Sequence, residues 1–125
     1  MKLGDFHYLC TLNTIFMTTF QDLGVREDLL RAITELGYET PMPIQEKVIP
    51  HLLNEDSDVV GLAQTGTGKT AAFGLPTLQR IDTACACTQA VILDPTRELC
   101  LQTCSDLTDY AKYIDRLNIL PVYGG

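Results

Sequence analysis

Apolar residues recur along this chain with two different periods, and the changes between them mark its elements. Val25, Leu29, Ile33 and Leu36 stand at spacings of four, four and three, the recurrence of one helical face, and Gly37 follows where a C-terminal cap favours glycine. Gly37-Tyr38-Glu39-Thr40-Pro41-Met42-Pro43-Ile44-Gln45 is a turn stiffened by two prolines. It opens a second helix with Ile44, Val48 and Leu52 on one face. Pro50 lies inside that pattern, and a residue without an N–H is expected to end or kink the helix. Polar residues 54–58 connect to a short apolar run, Asp58 to Leu62. Two more such runs follow, Gln89 to Asp94 and Leu117 to Tyr123, and all three read as buried strands. Between the first two, Lys69 to Arg80 reads as a helix with Ala71, Ala72, Phe73 and Leu78 available to pack. Between the last two, Pro95-Thr96-Arg97-Glu98-Leu99 turns into a further helix with Thr96 as N-cap. There Cys100, Cys104, Leu107 and Ala111 recur at four, three and four.

Strands alternating with helices imply right-handed crossovers and a parallel sheet with helices on both faces. Ligand then sits at the carboxyl ends of the strands. The loop after Leu62, the Pro95 to Leu99 turn and the Gly124-Gly125 pair all fall at those ends.

The first of these loops carries the chemistry. AQTGTGKT, Ala63 to Thr70, joins a predicted strand to a predicted helix, the setting in which a phosphate-cradling loop works. Gly66 and Gly68 permit dihedrals closed to residues with a Cβ, so successive N–H groups turn inward around phosphate oxygens. The helix N-terminus adds its dipole, Lys69 reaches the β and γ phosphates, and the Thr70 hydroxyl is placed to ligate Mg²⁺. Ala63 stands where the general pattern has glycine. Gln64, Thr65 and Thr67 complete the loop.

Composition narrows the rest. At 125 residues with 46% hydrophobic content the chain is the size of one small globular domain. A formal charge of −7 argues against a broad basic nucleic-acid face, so any such contact is expected to be local. Five cysteines with no secretory leader and a nucleotide motif point to reduced thiols and a cytoplasmic setting. No apolar run reaches the ~20 residues of a membrane span. Cys100 and Cys104 fall on an apolar stripe and read as core residues. A four-cysteine zinc site with Cys85 and Cys87 is disfavoured because C-x-C and C-x-x-x-C are not the usual knuckle spacings. His7 and His51 have no carboxylate or cysteine partner at ligand spacing and read as surface or capping residues. Met1 to Phe16 lacks the pattern of a targeting peptide and reads as an N-terminal extension, with Met17 a second possible start. Residues 17–125 read as one domain part.

GYETPMPIQ at 37–45, AQTGTGKT at 63–70, PTREL at 95–99 and the terminal GG together resemble the DEAD-box RNA helicases, over nearly all of residues 20–125. The resemblance implies the N-terminal part of a RecA-like parallel-sheet domain, truncated after about three strands, from an ATP- and Mg²⁺-dependent enzyme that separates short RNA duplexes. It assigns Gln45 to adenine, and an amide that both donates and accepts suits the N6 donor and N7 acceptor of that base. GTP is expected to be refused. Tyr38 resembles the aromatic near the base and Phe20 the isolated upstream aromatic, although a core role suits each equally well. Thr40 and Pro41 set the turn. Pro95, Thr96 and Arg97 resemble the first RNA-contacting motif, and Gly124 and Gly125 a second. All of these are backbone contacts that carry no base sequence.

The resemblance also implies what these residues lack. Hydrolysis needs an acidic pair after a later strand and arginines from a second domain, and loss of such an arginine alone is worth about 10³ to 10⁵ in rate. Glu55-Asp56-Ser57-Asp58 precedes the phosphate-loop strand and reads as a solvated turn. The chain alone is therefore expected to bind nucleotide without turnover, and an unfinished sheet edge is expected to be marginally stable and to self-associate. Asp94, ahead of the Pro-Thr-Arg turn, reads as a helix cap. The alternative is a non-catalytic nucleotide-binding or interaction module derived from such a domain. An unrelated P-loop NTPase is a third reading, against which Gln45 and its aromatic stand.

Overall fold

The computed structural model describes residues 18–124. The expectations for Met1 to Phe16, His7, Met17 and Gly125 lie outside the described residues. Among the described residues four helices form: α1 Glu27–Glu35, α2 Pro43–Asn54, α3 Lys69–Arg80 and α4 Arg97–Tyr110. The last two begin where the capping and loop signals placed them.

The end of α1 follows from one glycine. Gly37 has φ +87°, and its left-handed turn lets Gly37 N–H donate to Thr34 O at 3.0 Å and Tyr38 N–H to Ile33 O at 3.0 Å, the paired bonds of a Schellman cap. The turn also revises the predicted face. Leu29 and Ile33 are buried, but Leu36 is 46% exposed, and Val25 is buried ahead of the helix. At the other end, Gln79 of α3 accepts from Arg26 N–H at 2.9 Å and donates to Gly24 O at 2.9 Å. One side-chain amide thus stands in for a peptide partner and fixes how the chain enters α1.

Helix α2 runs through Pro50 to Asn54, where the sequence predicted a break. Pro50 costs one intrahelical bond, and burial of Val48 and Ile49 just ahead of it outweighs it. The buried face is accordingly Gln45, Val48 and Ile49, with Ile44 and Leu52 only half-buried. Helix α3 likewise carries Pro76 in its interior while burying Ala71, Ala72, Leu75 and Leu78. A Cβ built on Gly74 would stand 2.6 Å from Leu107 Cδ2, so glycine there sets the close approach of α3 to α4.

All four helices share one core, in which Leu29, Ile33, Ile49, Leu75, Leu107 and Tyr110 meet Phe20 and Leu23 from the segment before α1. Removing that much apolar surface from water is the main term holding the helices together, at about 1.5–3 kcal/mol for each large side chain fully buried.

The three predicted strands are not assembled. Among the described residues no strand is formed and no backbone hydrogen bond joins one of these runs to another. They are extended segments laid on the helices. The middle and last ones alternate as strands do: Ile92, Leu117 and Ile119 pack against the core, while Val91, Leu93 and Leu120 are 75%, 90% and 79% exposed. The first segment lies by α2, with Gly61 under Ile44 and Val48. The helices therefore cover one face of these segments, not both. Hydrophobic period determines which residues can be extended and which face they bury, whereas a ladder also needs a neighbour in register.

Three local expectations change. Cys85 and Cys87 form a disulfide, their Cα atoms 5.5 Å apart, where reduced thiols were expected. The compartment argument carries no information on how tightly the loop after Asp82 folds, and Gln89 closes that loop by accepting from Asp82 N–H and donating to Asp82 O, each at 2.8 Å. Cys100 and Cys104 are free and half-buried, their thiols 3.9 Å from Val122 O and Ile119 O. They lie at the edge of the core, docking the last extended segment onto α4, while Leu107 and Tyr110 fill its centre. His51, expected to lack a carboxylate, has Glu55 Oε2 at 3.2 Å and Ser57 Oγ at 3.0 Å, partners that an i, i+4 count on α2 would have found.

Candidate functional site

The phosphate loop is built where α2 meets α3. Gly66 and Gly68 both have φ +77°, the left-handed conformation that the motif required. At Gly66 nothing lies within 4 Å of a built Cβ, so backbone conformation alone demands glycine. At Gly68 a Cβ would also run into the amide nitrogen of Gln45. Gly68 is the N-cap of α3 and offers no side chain to its first turn; the helix ladder starts with Ala72 N–H to Gly68 O at 3.1 Å. The N–H groups ahead of Ala72 thus present the positive end of α3 to the loop. Lys69 Nζ donates across the loop to Ala63 O at 2.8 Å, and Thr67 Oγ1 donates to Gln64 O at 2.5 Å. Gln64, Thr65, Gly66 and Lys69 are at the surface, while Thr67, Gly68 and Thr70 are half-buried.

Gln45 is brought to this loop from 23 residues away. It is 1% exposed, its Oε1 accepts from Met42 N–H at 2.8 Å, and its Nε2 donates to Gly68 O at 3.1 Å. The amide thus closes the N-terminus of α2 and ties it to the N-cap of α3. Each end of a carboxamide has a second valence, one N–H and one lone pair, beyond these two bonds. Thr40 is exposed in the turn ahead of α2.

The two candidate aromatics sit apart from the loop. Phe20 is 3% exposed in the helix core. Its ring meets Tyr38 edge-on at 6.0 Å, and Tyr38 meets Tyr110 edge-on at 5.8 Å with their hydroxyls 2.8 Å apart. Burial, reinforced by that hydroxyl contact, pushes the Tyr110 phenol above its ordinary value. Phe20 and Tyr38 also line a shallow groove along α1 with Leu30, Arg31 and Thr34, which contains no residue of the phosphate loop.

The second group of candidates lies at the start of α4. Thr96 caps the helix as predicted, its Oγ1 accepting from Leu99 N–H at 3.2 Å. Asp94, expected to cap, instead accepts from Thr103 Oγ1 at 3.3 Å and anchors the extended segment to the second turn of α4. Pro95, Thr96 and Arg97 are exposed. Arg97 lies over the ring of Tyr123 at 4.6 Å, which brings this turn beside Gly124, where a built Cβ would meet open space.

Sequence reasoning missed the ties between helices. Glu35 at the end of α1 accepts from Lys112 Nζ and Tyr113 OH, each at 2.5 Å, and Arg31 stacks on Tyr113 at 4.0 Å. Lys112, then Tyr113, hold the Glu35 carboxyl below its ordinary value, and Glu35 in turn raises Lys112. No periodicity signals a contact between groups 77 residues apart. Among the described residues no cluster of three His, Cys, Asp or Glu side chains is placed to hold a metal, and no helix is long and apolar enough to cross a membrane.

A glycine loop heading a helix, a glutamine locked onto it and a capped Pro-Thr-Arg turn beside Gly124 define a class. The family model for DEAD/DEAH box helicases matches residues 42–125, and the chain belongs to that family. Its relatives include the ATP-dependent RNA helicase DeaD of Escherichia coli K12, 51% identical over 110 residues that make up 88% of this chain and 17% of DeaD. The DeaD of Mycobacterium tuberculosis H37Rv is 53% identical over 86% of this chain and 19% of its own length, and the DEAD-box ATP-dependent RNA helicase CshA of Bacillus cereus 48% over 87% and 20%. The chain thus spans about a fifth of the length of these relatives. Among solved structures, S. cerevisiae Dbp5 bound to RNA and ADP BeF3 superposes with a TM-score of 0.73 at 38% identity, covering 76% of this chain and 25% of that one. A DEAD box protein from Methanococcus jannaschii superposes at 0.70 with 38% identity, over 74% and 25%. The fold is that of the RecA-like domains of this family.

Proposed function

We propose that this chain is the nucleotide-binding N-terminal part of the first RecA-like domain of an ATP-dependent RNA helicase, residues 17–125 belonging to that domain. The observation that supports it best is the bond from Gln45 to Gly68, which joins the candidate base-reading residue to the candidate phosphate loop in one unit. The donor set suits a magnesium-bound nucleotide: N–H groups of the α3 N-terminus and of residues 64–68 for phosphate oxygens, Lys69 for the β and γ phosphates, and the Thr70 hydroxyl for Mg²⁺. Bound Mg·ATP supplies the phosphoryl bond whose cleavage drives the enzyme. Lys69 leaves Ala63 O to meet phosphate, exchanging one neutral acceptor for a charged one. Gln45 reads the base with its spare N–H and lone pair, and Thr40 and Tyr38 shape the turn beside it.

Pro95, Thr96, Arg97 and Gly124 form a surface for RNA backbone, in which a helix N-terminus and one arginine replace the basic face that the acidic composition argues against. Turnover belongs to the whole helicase, with its acidic pair and second-domain arginines. The test is titration of the chain with a fluorescent ADP analogue, followed by competition with ATP and GTP and by an ATPase assay. Displacement by ATP but not GTP, without turnover, is expected; displacement by both, or turnover abolished by Lys69→Ala, contradicts the reading.

A further inference from the structure

An aromatic ring that the motifs leave without a role lies against the candidate RNA-binding arginine. Arg97 is exposed at the first position of α4, its Cζ 4.6 Å from the centroid of the Tyr123 ring, and among the described residues it forms no ion pair. Tyr123 is 44% exposed. Its backbone is held, because Cys100 and Cys104 of α4 donate to Val122 O and Ile119 O at 3.9 Å each. The ring therefore belongs to a segment fastened to the same helix that carries the arginine. Beyond it, Gly124 faces open space, so another backbone can approach there closely.

A guanidinium stacked on a ring uses its face and keeps its N–H edges for a planar acceptor, without losing charge. The stack also limits the rotamers of a long side chain that would otherwise be ordered only on binding. We propose that Tyr123 is a positioning residue for RNA: it holds Arg97 with its N–H edge directed to a phosphodiester of single-stranded RNA passing over Gly124. The inference rests on the RNA-backbone reading of this surface.

The test measures binding of the full chain to a fluorescent oligouridylate by anisotropy across a range of salt concentrations, with Tyr123→Phe, Tyr123→Leu, Arg97→Ala and the Tyr123→Leu/Arg97→Ala pair. Arg97→Ala is expected to weaken binding and lower the slope of log K against log salt by about 0.7, one phosphate contact on a single strand. Tyr123→Phe keeps the ring and binds as the parent does. Tyr123→Leu weakens binding about two- to five-fold, the size of an exposed cation–π contact, and adds nothing once Arg97 is gone. Unchanged binding by Tyr123→Leu, or a loss fully additive with Arg97→Ala, overturns the inference. If Arg97→Ala itself changes neither affinity nor slope, the RNA reading of the surface fails and the inference falls with it. The Arg97 Nε–H resonance supplies a readout independent of binding: ring-shifted in the parent and in Tyr123→Phe, at its random-coil position in Tyr123→Leu. A random-coil position in the parent removes the stack and the proposal.

Discussion

The two candidate surfaces of this chain are built in opposite ways. The phosphate loop is continuous with the core: Gln45 is 1% exposed and bonded to Gly68, and Ala71 and Leu75 of the following helix are wholly buried. The Pro95 to Arg97 turn and the Tyr123-Gly124 edge are exposed, held by a hydroxyl cap, two thiol–carbonyl contacts and one stacked arginine. A small, highly charged ligand needs donors fixed before it arrives, because reorganising them on binding costs affinity. A polymer bound by its backbone is served by few contacts on an open surface. Substitutions in the first region should therefore damage fold and binding together, and those in the second should separate them.

The largest effect is expected at Gly68. Gly68→Ala incurs about 1–2 kcal/mol for left-handed backbone and roughly 1–3 kcal/mol more for the intrusion on Gln45, and it closes the nucleotide loop. Gly66→Ala carries only the first of these costs, since no atom stands near. Urea denaturation of the two variants should rank them in that order; equal losses would mean that Gln45 does not press on the loop. Next, Gln45→Ala leaves Met42 N–H without its side-chain acceptor and Gly68 O with Ala72 N–H alone, a loss of two hydrogen bonds costing about 1–3 kcal/mol, read by the same unfolding curves. Its nucleotide defect should appear even at temperatures where the variant is fully folded.

Thr96→Ala removes the cap of α4 and should cost about 0.5–2 kcal/mol while leaving nucleotide affinity as it was. Loss of nucleotide binding there would erase the division between the two regions. The smallest effect concerns pH. Glu35 has its folded value lowered, so the stability it contributes is present above the ordinary carboxylate range and is lost as pH falls through the lowered value. Lys112 has its folded value raised, so its contribution is lost only as pH rises through that value, on the alkaline side. Thermal unfolding of Lys112→Ala should accordingly lie slightly below the parent near neutral pH and converge with it in acid. A gap that widens in acid would contradict the pairing.

How much of this was legible in the sequence depends on the range over which each contact acts. The cap at Gly37, the start of α4 at Thr96 and the left-handed glycines of the loop depend on neighbours within a few positions, and all were readable from local chemistry. The strand runs were readable as extended and half-buried, as Ile92, Leu117 and Ile119 show, but pairing is a relation between distant segments and the described residues form none. Pro50 misled because a proline penalty is local while the burial of Val48 and Ile49 is tertiary. The grip of Gln79 on the entry to α1, the Glu35 cluster and the Cys85–Cys87 bond had no periodic signal at all. At the site, residue types and spacing marked Gln45 and Gly68 separately; that one is fastened to the other emerged only in three dimensions.

The central claim is that residues 37–70 form one adenine-nucleotide site. Calorimetric titration of the chain with Mg·ATP, Mg·ADP and Mg·GTP, repeated on Gln45→Ala and Lys69→Ala, tests it most directly. The account predicts binding of the adenine nucleotides alone, loss of that selectivity in Gln45→Ala and loss of affinity in Lys69→Ala. Equal binding of Mg·GTP, or binding untouched by Lys69→Ala, would contradict it.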